Sequence, residues 1–219
     1  MKELFMIFRK RSDLDKIFDQ TYDILGLEFT LFQTARKTLR ESDQVCAAID
    51  VRAEDKNINA FQIEARRKIF TELTILGIEQ LNAGLVLMSI LNDVERIGDY
   101  CKNIVDLAKN YSPMLKAGQR EELLLEIENK TIDIFHLTRS AFKEKDKVTG
   151  RQAMELHGTV SGQIDEFVNN LIKNNVEMQD TGQAVTLALY LRYLKRIMSH
   201  LTNIASSVVN PLERIGYCE

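Results

Sequence analysis

The feature that most constrains the fold is an internal repeat with a spacing of 100 residues. Residues 94–108, VERIGDYCKNIVDLA, align with residues 194–208, LKRIMSHLTNIASSV. Apolar residues match at most of the inward positions, and four residues are identical in the two segments (Arg96/Arg196, Ile97/Ile197, Asn103/Asn203, Ile104/Ile204). A repeat at this separation predicts that the chain consists of two copies of one helical unit.

Each copy is predicted to contain three helices. Two prolines and ten glycines in 219 residues leave few chain breakers, and apolar residues recur at spacings of three and four. Ser12-Asp13-Leu14-Asp15 has the form of a capping box at the start of the first helix. The predicted helices are those from Ser12, from near Asp43 to Leu73, from Gln80 to Asn110, from near Leu124 to the charged run 142–147 before Thr149-Gly150, from Arg151 to Asn175, and from Asp180 to Val209.

The strongest break lies at Tyr111-Ser112-Pro113, and the fold class that follows is all-α, with two tandem three-helix bundles. We predict domains at 1–112 and 113–219. Glu28 interrupts the apolar seam of the first helix. We expect it at the margin of that seam with its carboxylate in water, the alternative being a buried ligand.

Bulk properties exclude several classes of protein. A net charge of −3 argues against a nucleic-acid binder, and no window approaches the ~18 consecutive apolar residues of a membrane span. Three cysteines without CxxC spacing predict a reducing compartment, so we expect a cytoplasmic protein. No nucleophile, phosphate-loop or HExxH motif nominates a catalytic centre, and the prediction is therefore not an enzyme.

Glu95 and Asp99 are the strongest candidates for a binding site, because a spacing of four residues places both carboxylates on one helix face. Gly98 lies between them, and a glycine inside a helix suggests that something approaches closely. Carboxylates in this arrangement suit Mg²⁺, Mn²⁺, Ca²⁺ or iron. The alternative is a solvated charged face on which Lys102 neutralises the acids.

The second predicted helix carries a weaker pair, Asp55 and Asn59, at the same spacing. If this helix is the antiparallel neighbour of the third, both polar pairs could meet on one face. In the second copy the positions of Glu95 and Asp99 hold Lys195 and Ser199, so we predict no metal there.

ERIGDYCKNIVDLA resembles the hallmark helix of the PhoU family of phosphate-uptake regulators. The segments EDKNINAFQIEARRKI, LVLMSILNDVERIGD and SSVVNPLERIG are also similar to that family, so the resemblance covers nearly the whole chain. It implies two three-helix bundles with acidic motifs able to hold metal. Carried over to this sequence, the metal residues are Glu95, Asp99, Asp55 and Asn59, with Asn59 standing where many members have aspartate. The cofactor would be one Mg, Mn, Fe or Zn cation at a single site, or none.

The resemblance also implies a function and partners. We expect a non-enzymatic regulator that couples a membrane phosphate transporter to a sensor histidine kinase and dampens the phosphate-starvation response. One alternative is an accessory protein of a sodium- or proton-coupled phosphate transporter; an alternative of another class is a metal-dependent enzyme using Glu95 and Asp99. A homodimer is expected, together with peripheral membrane association through partners only, and no binding of nucleic acid.

Overall fold

A computed structural model describes residues 12–41, 50–76, 80–111 and 113–217. Within these residues the chain forms six long helices, two short 3₁₀ turns and no strand. The all-α prediction is therefore confirmed. The six helices are α1 (Asp13–Arg40), α2 (Val51–Leu76), α3 (Leu81–Asn110), α4 (Glu121–Glu144), α5 (Lys147–Ile172) and α6 (Thr181–Val209).

Local side-chain caps set the helix starts. The predicted capping box is present at α1, where the Ser12 hydroxyl accepts a hydrogen bond from the Asp15 amide at 3.2 Å. The start of α2 was predicted near Asp43, which lies outside the described residues. The helix instead starts at Val51, because the Asp50 carboxylate accepts hydrogen bonds from the amides of Arg52 and Ala53.

The fourth helix ends at Glu144, inside the charged run where its end is predicted, but α5 starts at Lys147 and not near Arg151. The chain reverses at Lys145, which has a φ of 54°, and the carboxylate of the next residue, Asp146, caps α5 by accepting hydrogen bonds from the amides of Val148 and Thr149. Gly150 lies inside α5, where a Cβ atom would come within 2.7 Å of the Val209 side chain. Its role is therefore to let α5 and α6 approach closely, not to end a helix.

The helices form two three-helix sets, α1–α3 and α4–α6, as predicted. α3 of the first set packs against α6 of the second, and their contacts are reciprocal. Asp93 Oδ1 accepts a hydrogen bond from His200 Nδ1 at 2.8 Å, and the repeat-equivalent pair, Tyr193 and Tyr100, has ring centroids 5.8 Å apart. This reciprocity is what a two-fold relation between the two copies produces.

A buried ion pair also joins the two sets. The Arg40 guanidinium of α1 donates to Glu128 of α4 at 2.9 Å, and both side chains are almost fully buried. The Tyr190 hydroxyl donates to the same carboxylate at 2.7 Å, and Arg40 also donates to Glu121 and to the Leu115 carbonyl. A buried charge is tolerated when it is paired and hydrogen-bonded in this way. The two sets consequently share one continuous core. The predicted domain boundary between residues 112 and 113 stays a prediction.

Across the described ranges, no helix is both long and apolar enough to cross a membrane.

Candidate functional site

The predicted acidic residues meet where α2 packs on α3. Glu95 and Asp99 lie one turn apart on α3, and Asp55 faces them from α2. A Cβ atom on Gly98 would lie 3.8 Å from Asp55 Oδ1 and 3.3 Å from the side chain of Ile58. The close approach predicted at Gly98 is therefore confirmed, and the element that approaches is α2.

The Lys102 ammonium lies between the two aspartates. Its Nζ is 2.7 Å from Asp99 Oδ1 and 2.9 Å from Asp55 Oδ2. Burial disfavours the charged lysine, but the bonds to Asp99 and Asp55 outweigh it, so the pKa of Lys102 is raised. Arg96 contacts the outer side of the cluster, with its guanidinium 3.1 Å from Asp99 and 3.6 Å from Glu95.

Glu28 is the residue whose environment differs most from expectation. Its side chain is 0% exposed, so the prediction of a carboxylate in water is wrong. The residue lies within the seam that α1 presents to its neighbours, and among the described residues neither carboxylate oxygen has a hydrogen-bond partner. Burial, and then the charge of Glu95, raise the pKa of Glu28 well above its ordinary value.

Glu95 shares this environment. Burial and the neighbouring Asp99 raise its pKa, although Arg96 acts in the opposite direction. Burial, then Glu28 and Asp55, also raise the pKa of the Cys101 thiol well above its ordinary value, so this buried cysteine stays protonated. The sequence signal for the buried acid was present, because Glu28 occupies an apolar seam position of α1.

The remaining predicted ligand, Asn59, lies one turn beyond Asp55 on α2 and is half-buried. Carboxylate oxygens from Asp55, Glu95 and Asp99 are of the type that hard cations prefer. Lys102, however, is bonded to one oxygen of each aspartate. Within the part of the chain that the structure describes, no three His, Cys, Asp or Glu side chains are grouped to hold a metal. The donor set does not fit a divalent metal while Lys102 remains in place, and the metal site stays a prediction.

The second set has a different polar surface at the equivalent place. Lys195, at the position of Glu95, has its Nζ 2.5 Å from Asp165 of α5. Ser199, at the position of Asp99, donates to the Lys195 carbonyl at 2.9 Å and lies 3.3 Å from His157 Nε2. Burial and the Lys195 charge lower the pKa of His157. This surface carries a lysine and a serine where the first set carries two acids.

Comparisons with known proteins agree with this architecture. A family model described as the PhoU domain matches residues 29–108 and 124–208. The structure is similar to that of PhoU from Pseudomonas aeruginosa, with a TM-score of 0.77 and 19% identity over 90% of this chain and 95% of that one. It is also similar to the phosphate transport system regulatory protein PhoU from Streptococcus pneumoniae, with a TM-score of 0.66 and 21% identity over 91% and 94% of the two chains. At these identities the structural similarity concerns the fold. A comparison with curated proteins finds no match.

Proposed function

Because the chain belongs to the PhoU family, a family of non-enzymatic regulatory proteins, we propose that it regulates phosphate uptake through contacts with other proteins. In this proposal it couples a membrane phosphate transporter to a sensor histidine kinase and dampens the phosphate-starvation response. The observation that carries the proposal is the domain match in both halves, residues 29–108 and 124–208. The similar Streptococcus pneumoniae protein is described as a regulator of a phosphate transport system.

A regulator of this kind needs a docking surface, and α2 offers a candidate. Ile63 and Phe70 are each 69% exposed and lie two turns apart on its outer side. Arg67 lies between them on the same side, and it too is exposed. We define the outer α2 face as the exposed residues Lys56, Ala60, Ile63, Arg67, Phe70 and Thr74.

The chemistry of the outer α2 face suggests its partner. It combines two large apolar side chains with two cations, and the exposed Glu64 beside it is paired with Lys68 at 2.6 Å. A complementary surface has an apolar pocket with a rim of Asp or Glu. We propose that the cytoplasmic part of the transporter or of the kinase supplies such a pocket. Membrane association would then be peripheral and would depend on that partner.

A genetic experiment tests the function. Deleting the gene should switch on a phosphate-starvation reporter in phosphate-rich medium, because the proposed brake on the kinase is lost. The wild-type gene should restore repression, whereas Ile63→Asp with Phe70→Asp should not. Val148→Asp is the matched control, because Val148 is also exposed (61%) but lies on α5. Repression that survives in the double variant would exclude the outer α2 face as the docking surface.

The same deletion separates the two candidate partners. Altered phosphate uptake with an unchanged reporter would instead support an accessory role for a sodium- or proton-coupled transporter. This alternative rests on the divergent second set, which has Lys195 and Ser199 in place of acids. If neither the reporter nor phosphate uptake changes, the proposed function is wrong.

The expected homodimer also stays a prediction, and light scattering at micromolar concentration tests it.

A further inference from the structure

We propose that Lys102 is the resident cation of the acid cluster formed by Asp55, Glu95 and Asp99, and that it makes this cluster select an internal ammonium over a divalent metal. The proposal assigns to Lys102 the role of a specificity-determining residue. It does not depend on the identity of the transporter or kinase, so it can fail while the proposed function stands.

The position of Lys102 is the first argument. The residue follows Asp99 by three positions, so both side chains project from one face of α3. Asp55 reaches the same ammonium from α2, with Nζ–oxygen distances of 2.7 Å to Asp99 and 2.9 Å to Asp55. The side chains of Asp55 and Lys102 are only 9% and 25% exposed. Charge-assisted hydrogen bonds are stronger when their partners are withdrawn from water in this way.

The arrangement of charges is the second argument. A divalent ion bound by Asp55 and Asp99 would have to displace the ammonium from the oxygens it now contacts. Lys102 is anchored to the same helix face, so the displaced cation would stay close to the metal and repel it. Arg96 adds a second positive charge on the outer side of the cluster, 3.1 Å from Asp99.

The second set supplies the third argument, because a lysine–aspartate pair between its second and third helices recurs at a different position, with Thr202 standing where the first set has Lys102. There Lys195 of α6 pairs with Asp165 of α5 at 2.5 Å. In both sets, then, a lysine on the third helix neutralises an aspartate on the second. The difference is that Asp165 is half exposed and shared with Arg192 at 3.7 Å, and that Lys195 pairs with no second acid among the described residues, whereas Lys102 neutralises two partly buried aspartates.

Metal titration of the full chain tests the proposal. Protein freed of metal by EDTA is titrated with MnCl₂ in a calorimeter, and bound manganese is measured by elemental analysis after gel filtration. Wild-type protein should take up no stoichiometric Mn²⁺. Lys102→Gln should bind about one ion per chain, at least about tenfold more tightly than wild type. Adding Asp55→Asn and Asp99→Asn to that variant should abolish the binding.

Two further variants keep the test decisive. Lys102→Arg retains the positive charge and should not bind Mn²⁺. Lys195→Gln is the matched control in the second set and should also bind none. MnCl₂ should raise the thermal midpoint of Lys102→Gln while leaving that of the wild type unchanged.

Either of two results would overturn the proposal. The first is stoichiometric Mn²⁺ in the wild type that Asp55→Asn with Asp99→Asn removes, because the metal would then coexist with Lys102. The second is folded Lys102→Gln protein that binds Mn²⁺ no more tightly than the wild type. If Lys102→Gln does not fold, the wild-type titration still decides, since an ion held by these acids contradicts the inference and the lack of one supports it.

Discussion

Replacing Glu28 with glutamine should stabilise the protein, by an amount that grows as the pH rises. In the folded chain, burial and then the charge of Glu95 hold the pKa of Glu28 well above its ordinary value. In the unfolded chain the same carboxyl group is in water and ionises near its ordinary pKa. The folded state therefore retains a proton that the unfolded state has released.

The sign and size of the effect follow from this difference in bound protons. Stability falls with rising pH wherever the folded state binds more protons than the unfolded state. Between the unfolded and folded pKa values, Glu28 should cost the wild type about 1.4 kcal/mol of unfolding free energy per pH unit. Below this window the carboxyl group is protonated in both states and contributes no such loss. Glutamine has nearly the same shape and does not titrate, so the Glu28→Gln variant lacks this loss.

Urea unfolding from about pH 4 to about pH 8, in buffer containing EDTA, measures the effect. The free-energy difference between Glu28→Gln and the wild type should be small at the acidic end and should widen with rising pH. Glu155→Gln is the control, because Glu155 is exposed on α5. Two stability curves that stay parallel for Glu28→Gln would refute the reasoning, because the buried oxygens would then have a donor or cation in solution.

Two further comparisons, each between two variants, test the packing between helices. Gly150→Ala should destabilise the protein by about 1–3 kcal/mol, because the added methyl group would contact an α6 side chain at 2.7 Å. Gly158→Ala, on the same helix but with no atom of another described element within 4 Å of the added group, should stabilise by about 0.5–1 kcal/mol; equal effects of the two changes would contradict the packing described. Arg40→Met should cost about 3–5 kcal/mol, because it removes the hydrogen-bonded cation of the buried Glu128 carboxylate and leaves only the Arg36 guanidinium, 3.6 Å from its other oxygen. Tyr190→Phe should cost less, about 1.5–3 kcal/mol, because it removes one hydrogen bond to that carboxylate. Urea unfolding measures all four, and a larger loss for Tyr190→Phe than for Arg40→Met would argue against the buried ion pair.

The sequence by itself determined the features that depend on neighbours within one or two helical turns. Ser12 and Asp180 mark the starts of α1 and α6 because their side chains bond amides three residues away. The spacing of Glu95 and Asp99 placed both acids on one face for the same local reason. The same helical pattern occurs twice along the sequence, and this repeat predicted the two three-helix sets. Asp146 and Gly150 are both residue types that can mark a helix boundary, and residue type alone does not show which of them does. The capping geometry shows that Asp146 marks the start of α5.

Only the tertiary structure decided which helix faces meet and at what offset along their axes. Periodicity identified the seam that contains Glu28, but the packing of α1 in the core determined that its carboxylate is buried without a hydrogen bond to any described residue. Lys102 and Asp55 are 47 residues apart, and Arg40 and Glu128 are 88 apart. A shift of one turn, about 5.4 Å, between packed helices would separate either pair. Such offsets result from the fit of many side chains at once, which the order of residues along a single helix does not specify.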